Sequence, residues 1–229
     1  MAVPAGITLA NLSGEFIPVW IFYSSLPLTA ARSAQLSSAR VYQNIADADQ
    51  DKALSDNADG FLTLQGVPWL LRKAIRLASP KLTITQSTNE KGVAVVDLSV
   101  VGIGGRVVTE QRVLDWEPVL SHNPLYGRTM TRSRLYSSML ERSPRHSDED
   151  YAYLSARIAK DGSASCWAEG EGEDGLHLHC VISNEEGGWT IDQVWGFEEI
   201  NGERYHTRRS VLIKGEAVER GRIVYRFVS

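Results

Sequence analysis

Apolar and polar residues alternate with a period of two along much of this chain. The pattern is clearest in GGWTIDQVWGFEEINGERYHTRRSVLI, Gly187 to Ile213. Two extended runs meet there at Ile200-Asn201-Gly202-Glu203, and Asn-Gly tolerates the positive φ of a type I′ turn, so the stretch predicts a β-hairpin. Alternation places Trp189, Ile191, Gln193, Trp195 and Phe197 on one face of the first strand, and Thr190, Asp192, Val194 and Glu198 on the other. The aromatic face is expected to look inward. Further strands are predicted at Ile7–Phe16, Lys81–Ser87, Val93–Val101, Val107–Trp116, Tyr126–Tyr136, Leu176–Ser183 and Arg222–Val228, about nine in all. Turn-forming segments such as Thr88–Gly92 and His122-Asn123-Pro124 join them, which argues for an antiparallel meander closing into a single up-and-down β-barrel.

One segment has a different period. Val67, Leu70, Leu71, Ala74, Ile75 and Ala78 recur at helical spacing, with Arg72, Lys73 and Arg76 on the other side. Pro68 suits the first turn and Pro80 ends it, so one amphipathic helix over Val67–Ala78 is expected to cover a barrel end. The pattern fails twice. Ile17–Gln50 has no period and reads as an insert, either disordered or retained from an unspliced message. Ser137–Gly175 reads as a long loop at the other barrel end, with one short helix around Asp150–Ala159 and a mobile acidic tail, AEGEGEDG.

A chain of 229 residues can bury one full core, so a single domain spanning 1–229 is expected. The formal charge of -4 gives no electrostatic reason to expect nucleic acid as a partner. Two cysteines, Cys166 and Cys180, are too few for a disulfide framework and fit a reduced, cytoplasmic setting. The N-terminus lacks the pattern of a secretory signal. The most apolar window, Ile17–Leu28, is too short to span a bilayer, so no stable membrane insertion is expected. A homodimer is compatible with the sequence.

The candidate chemistry is sparse. His177 and His179 share one strand face but lack partner ligands, so no metal is expected; both read as polar groups facing solvent or a cavity. Gly102-Ile103-Gly104-Gly105 lies between strands and reads as a turn. No Gly-x-Ser-x-Gly elbow occurs. Arg128, Arg132 and Arg134 share one side of a strand and read as outward, whereas Arg208 and Arg209 fall on opposite sides of another. An inward arginine should meet a carboxylate, with Asp115, Asp192 and Glu198 as candidates, or a ligand acid. The inward residues expected to line a small-molecule pocket are Trp189, Gln193, Trp195, Phe197, His206, Arg208, Tyr225 and Phe227. Rings supply area, and Gln193, His206, Arg208 and Tyr225 supply orientation. The same rings packed solid would make a filled barrel that acts only through its surface.

Several stretches together carry a resemblance: NLSGEF, DKALSDNADGFLTLQGVPWLLRKAI, LTITQ, VLDW, GGWTIDQVWGFEEINGERYHTRR and VYRF. They resemble a family of small fungal proteins with lipocalin-like or fatty-acid-binding-protein-like barrels, whose members often occur near natural-product gene clusters. The resemblance implies the fold and a secondary-metabolism setting, but no catalytic residues. Where fatty-acid-binding proteins carry an Arg-x-Tyr pair on the last strand, this chain has Arg222 and Val224, which argues against a fatty acid. Two functions follow. The first is binding of a small hydrophobic metabolite in the barrel. The alternative is a cofactor-free cyclase or isomerase of the pericyclase type, with Gln193, His206 and Arg208 as its candidate catalytic groups; such an enzyme needs no triad, because holding a polyene in one reactive fold supplies most of the rate. No cofactor is expected in either case.

Overall fold

The computed structural model describes residues 2–19, 54–77, 80–101, 105, 107–137, 140–168 and 175–229. Its strands are β1 (Gly14–Pro18), β2 (Lys81–Thr88), β3 (Ala94–Val101), β4 (Val107–Val113), β5 (Val119–Asn123), β6 (Gly127–Tyr136), β7 (His177–Asn184), β8 (Trp189–Ile200), β9 (Glu203–Lys214) and β10 (Ala217–Phe227). Helices α1 (Asp59–Leu64) and α2 (Trp69–Leu77) lie between β1 and β2, and α3 (Asp148–Leu154) lies between β6 and β7.

All ten strands form one antiparallel sheet in the order β4-β3-β2-β1-β10-β9-β8-β7-β6-β5. Because β1 pairs with β10, the meander curls until its two free edges, β4 and β5, are neighbours. There a side chain spans the seam: Asn123 Nδ2 donates to Glu110 Oε1 at 3.1 Å. The result is a nearly closed up-and-down barrel.

The Asn-Gly turn forms as expected, with Asn201 at φ 54° and Gly202 at φ 78° and Ile200 paired to Glu203. That turn fixes the register of the longest strand pair, and every inward position follows from it. Phe197 faces His206, Trp195 faces Arg208, Gln193 faces Ser210 and Ile191 faces Leu212. Phe16, Leu82, Ile84, Val96, Leu98, Leu178, Trp195, Phe197 and Tyr225 form the inner core.

Four expectations need correction. The run Val107–Trp116 ends at Val113, and a separate five-residue strand, β5, follows, so the barrel has ten strands. A second helix, α1, precedes the predicted one; its Phe61 fits against Gly221, where a Cβ would come within 2.8 Å of the ring. The first strand begins late, at Gly14, and runs into the segment read as an insert: Ile17 pairs with Arg226, Pro18 with Tyr225, and the Val19 amide donates to the Val224 carbonyl. Residues 20–50 lie outside those described. The Gly102–Gly105 turn lies mostly outside them too.

The fourth correction concerns 137–175, which is not a loop at a barrel mouth. Its described part lies on the outer wall of β8 and β9, where Leu140, Tyr153, Leu154, Ala156 and Trp167 bury Val194 and Val211 as a second core. Helix α3 starts in a capping box: the Asp150 amide donates to Ser147 Oγ at 3.1 Å, and the Ser147 amide donates to Asp150 Oδ2 at 3.0 Å. Most of its acidic tail lies outside the described residues. No helix among the described residues is long and apolar enough to cross a membrane.

Candidate functional site

Inside the barrel, β8, β9 and β10 bring six of the sequence-predicted residues together. His206 is fully buried, with Phe16, Trp195, Phe197 and Tyr225 at ring-centroid separations of 5.4 to 5.8 Å. Its Nδ1 lies 3.1 Å from the Gly196 carbonyl, which can only accept, so Nδ1 carries the proton. Nε2 then accepts from Arg208 Nε at 3.3 Å. Burial, with the nearby Arg208 charge adding to it, pushes His206 well below its usual pKa, so the ring is neutral.

The Arg208 guanidinium carbon lies over two rings, 3.6 Å from the Trp195 centroid and 4.7 Å from that of Tyr225. Trp195 is in turn held by Gln193, whose Oε1 accepts from the indole Nε1 while its Nε2 donates to Ser210 Oγ at 2.9 Å. Gln193 therefore orients the aromatic wall. Arg208 itself is 7% exposed, its Nη2 has no hydrogen-bond partner, and burial lowers its pKa. None of the expected carboxylates reaches it: Asp192 and Glu198 face outward, and Asp115 sits beyond β4, bridged to Arg134.

The other two predicted residues lie apart. Trp189 is buried beneath α1, edge-on to Tyr126 at 5.3 Å, at the end of the barrel that α1 covers, whereas α2 leaves Trp69 and Leu70 exposed. Phe227 is half-buried at the opposite end, edge-on to Phe16 at 5.5 Å. Sequence reasoning missed the far side of the interior. Glu110 and Arg112 of β4 point inward, with Arg112 Nη2 donating to Glu110 Oε2 at 2.6 Å, and Cys180 of β7 is fully buried beside Ser133. Their i, i+2 spacing in VVTEQRV puts both charges on one face, but nothing in that run says which face is inside.

The outer face of the same strands is a different environment. Glu198 accepts from Arg209 Nε and Nη2, both at 2.9 Å, from Arg222 Nη1 at 2.8 Å and from Thr207 Oγ1 at 2.7 Å. Arg209 also donates to the carbonyls of Tyr153 and Ile158 and to Ser165 Oγ, which ties the 140–168 segment to the wall. A cavity of about 170 Å³ opens beside this network, lined by Asp56, Tyr153, Lys160, Asp161, Arg209 and Arg222.

His177 and His179 also face this outer side, and neither is in solvent. His179 and His146 each place Nε2 on Asp192, at 3.0 and 3.1 Å. Burial alone would raise the Asp192 carboxyl, but the two imidazole hydrogen bonds overcome it and hold the pKa at about 2. His177 packs against Trp167 at 4.9 Å, and burial lowers its pKa to about 4. Arg128 and Arg132 are solvated as expected, while Arg134 stacks over Trp116 and pairs with Glu141.

No protein-family model matches the chain. Among known proteins it is similar to the pericyclase pydY of an Acremonium species, 28% identical over 181 residues, covering 76% of this chain and 86% of that one. It is also similar to the probable pericyclase scpY of Mollisia scopiformis, 30% identical over 178 residues, covering 76% and 84%. Among solved structures, a mutant of the fluorescent protein UnaG overlaps 95% of this chain and 96% of its own at 12% identity and a TM-score of 0.47. Wild-type UnaG overlaps 77% and 92% at 15% identity and a TM-score of 0.42. With 30% identity spread over most of scpY, this chain belongs to the family of these fungal pericyclases.

Proposed function

We propose that the protein is a cofactor-free cyclase: it takes an acyclic polyene into the barrel and promotes a pericyclic ring closure in fungal secondary metabolism. The observation that carries this reading is the cluster of rings around Arg208, whose Nη2 has no hydrogen-bond partner, in a chain whose relatives are named pericyclases. A pericyclic closure is an isomerisation, in which no atom enters or leaves. Catalysis then consists of folding the polyene so that its reacting carbons meet, and of stabilising the charge that moves onto a conjugated carbonyl.

The residues divide those tasks. Trp195, Phe197, Tyr225 and Phe16 form rigid walls that select one folded conformer. Arg208 donates from Nη2 to the carbonyl oxygen. His206, neutral and fixed through Gly196, and Gln193, through Trp195, are positioning residues. One fixed donor aimed at a developing oxyanion is worth about 10²–10³ in rate.

The test is turnover. Deleting the gene from its host should cause an acyclic intermediate to accumulate, and the purified protein should convert that compound in molar excess with no added cofactor. Arg208→Met should lower kcat by about 10² or more while the fold is kept. Stoichiometric binding of the intermediate with no conversion would overturn the cyclase reading and leave a binding protein for the same metabolite.

A further inference from the structure

We propose that the molecule held in the barrel carries one negative charge on oxygen, a carboxylate or an equally acidic enol, and that Arg208 and Arg112 receive it. This rests on the reading of the interior as a ligand site and adds the ligand's charge. The argument is a charge count around Arg208. Two guanidiniums, Arg112 and Arg208, belong to this part of the interior, and both are buried. Glu110 is the carboxylate whose field reaches Arg208, yet its oxygens are already taken by Arg112 at 2.6 Å and Asn123 at 3.1 Å.

The remaining titratable groups do not balance the surplus. His206 is neutral, and burial raises both Tyr225 and the Cys180 thiol, which keeps them protonated. One guanidinium charge is therefore left without an acid among the described residues.

Geometry points the same way. Besides Arg208 Nη2, Arg112 Nε is buried without a hydrogen-bond partner. The fields of both arginines act on the buried Cys180 thiol. A buried cation without a counter-charge is strongly disfavoured. A neutral carbonyl would fill a hydrogen bond and leave that cost in place, whereas an oxyanion removes both. The guanidinium carbon already lies over the Trp195 and Tyr225 rings, and Nη2 is the atom left for an oxygen.

The experiment compares two fluorescent probes of nearly the same shape on the full chain: 1-anilinonaphthalene-8-sulfonate, an anion, and N-phenyl-1-naphthylamine, which lacks the sulfonate. The wild-type protein should bind the anion at least about tenfold more tightly. Arg208→Met should abolish that preference. Glu110→Gln, which frees Arg112, should increase it. Equal affinities in the wild type, or a preference unchanged by Arg208→Met, would overturn the proposal while leaving the barrel a ligand site. Binding of neither probe would overturn the ligand site and the charge together. If circular dichroism shows that Arg208→Met does not fold, Glu110→Gln decides: no gain for the anion overturns the proposal.

Discussion

Arg208 and Arg209 are neighbours in sequence and opposites in circumstance. Arg209 faces outward into a sealed layer, 0% exposed, with its Nε and both Nη groups donating to Glu198, Tyr153, Ile158 and Ser165. Arg208 faces inward, also buried, with an imidazole nitrogen for Nε and nothing at Nη2. A buried guanidinium that is fully matched holds a structure together. One that is left short gives the fold no such support, and on the proposed function it serves a ligand. The same contrast runs along β8, where the outer Asp192 and Glu198 are saturated with donors and the inner residues are mostly rings.

The largest effect should come from breaking the outer network. Arg209→Met leaves the Glu198 carboxylate buried with Arg222 as its remaining cation, and should cost about 3–5 kcal/mol in urea unfolding. A loss below 1 kcal/mol would mean that the outer layer is not what holds the 140–168 segment.

Acid should undo the outer layer in two steps. His177 has a folded pKa of about 4 against 6.5 in the unfolded chain, so the unfolded state binds the extra proton between those values. Stability is therefore full above pH 6.5 and falls by about 3 kcal/mol as the pH drops to 4. Asp192 is depressed to about 2, so its contribution, about 2 kcal/mol, is present above the unfolded value near 4 and is lost between pH 4 and 2. His206, buried and neutral, adds to the first step from the inner side. Urea midpoints measured from pH 8 to 4 should show the first loss, and His177→Phe should shrink it.

A smaller effect is expected where the segment meets the wall. At Gly196 an added Cβ would come within 2.5 Å of the Trp167 ring and 3.0 Å of His177. Gly196→Ala should therefore cost about 1–3 kcal/mol through overpacking, and should raise amide exchange in 140–168 before it touches the barrel interior. Uniform exchange across the barrel would show that the two layers do not open separately.

The hairpin was legible because Asn-Gly chemistry and two-residue alternation agree there, and the inward set of β8, β9 and β10 follows from that register alone. The strand β5 was hidden because VLSHN is short and hemmed by Pro118 and Pro124, so its end read as a turn. Helix α1 was hidden for a similar reason: six residues carry too little period, and Ala58 makes no side-chain cap. The outer core was illegible for a physical reason. Alternation tells two faces apart only when one is wet, and β7, β8 and β9 are buried on both, so Glu198, Arg209, His177 and His179 looked like solvated or cavity-lining residues. Which charges are matched depends on contacts far apart in sequence, such as Arg209 with Tyr153, and no local pattern carries that.

The most direct test of the central claim, that the inner guanidinium serves a ligand and the outer one serves the fold, is the urea unfolding free energy of Arg208→Met beside the wild type, both without ligand. Arg208→Met should leave the protein at least as stable as the wild type, because it removes an unmatched charge from the ring cluster. A loss as large as that of Arg209→Met would contradict the account and make Arg208 part of the scaffold.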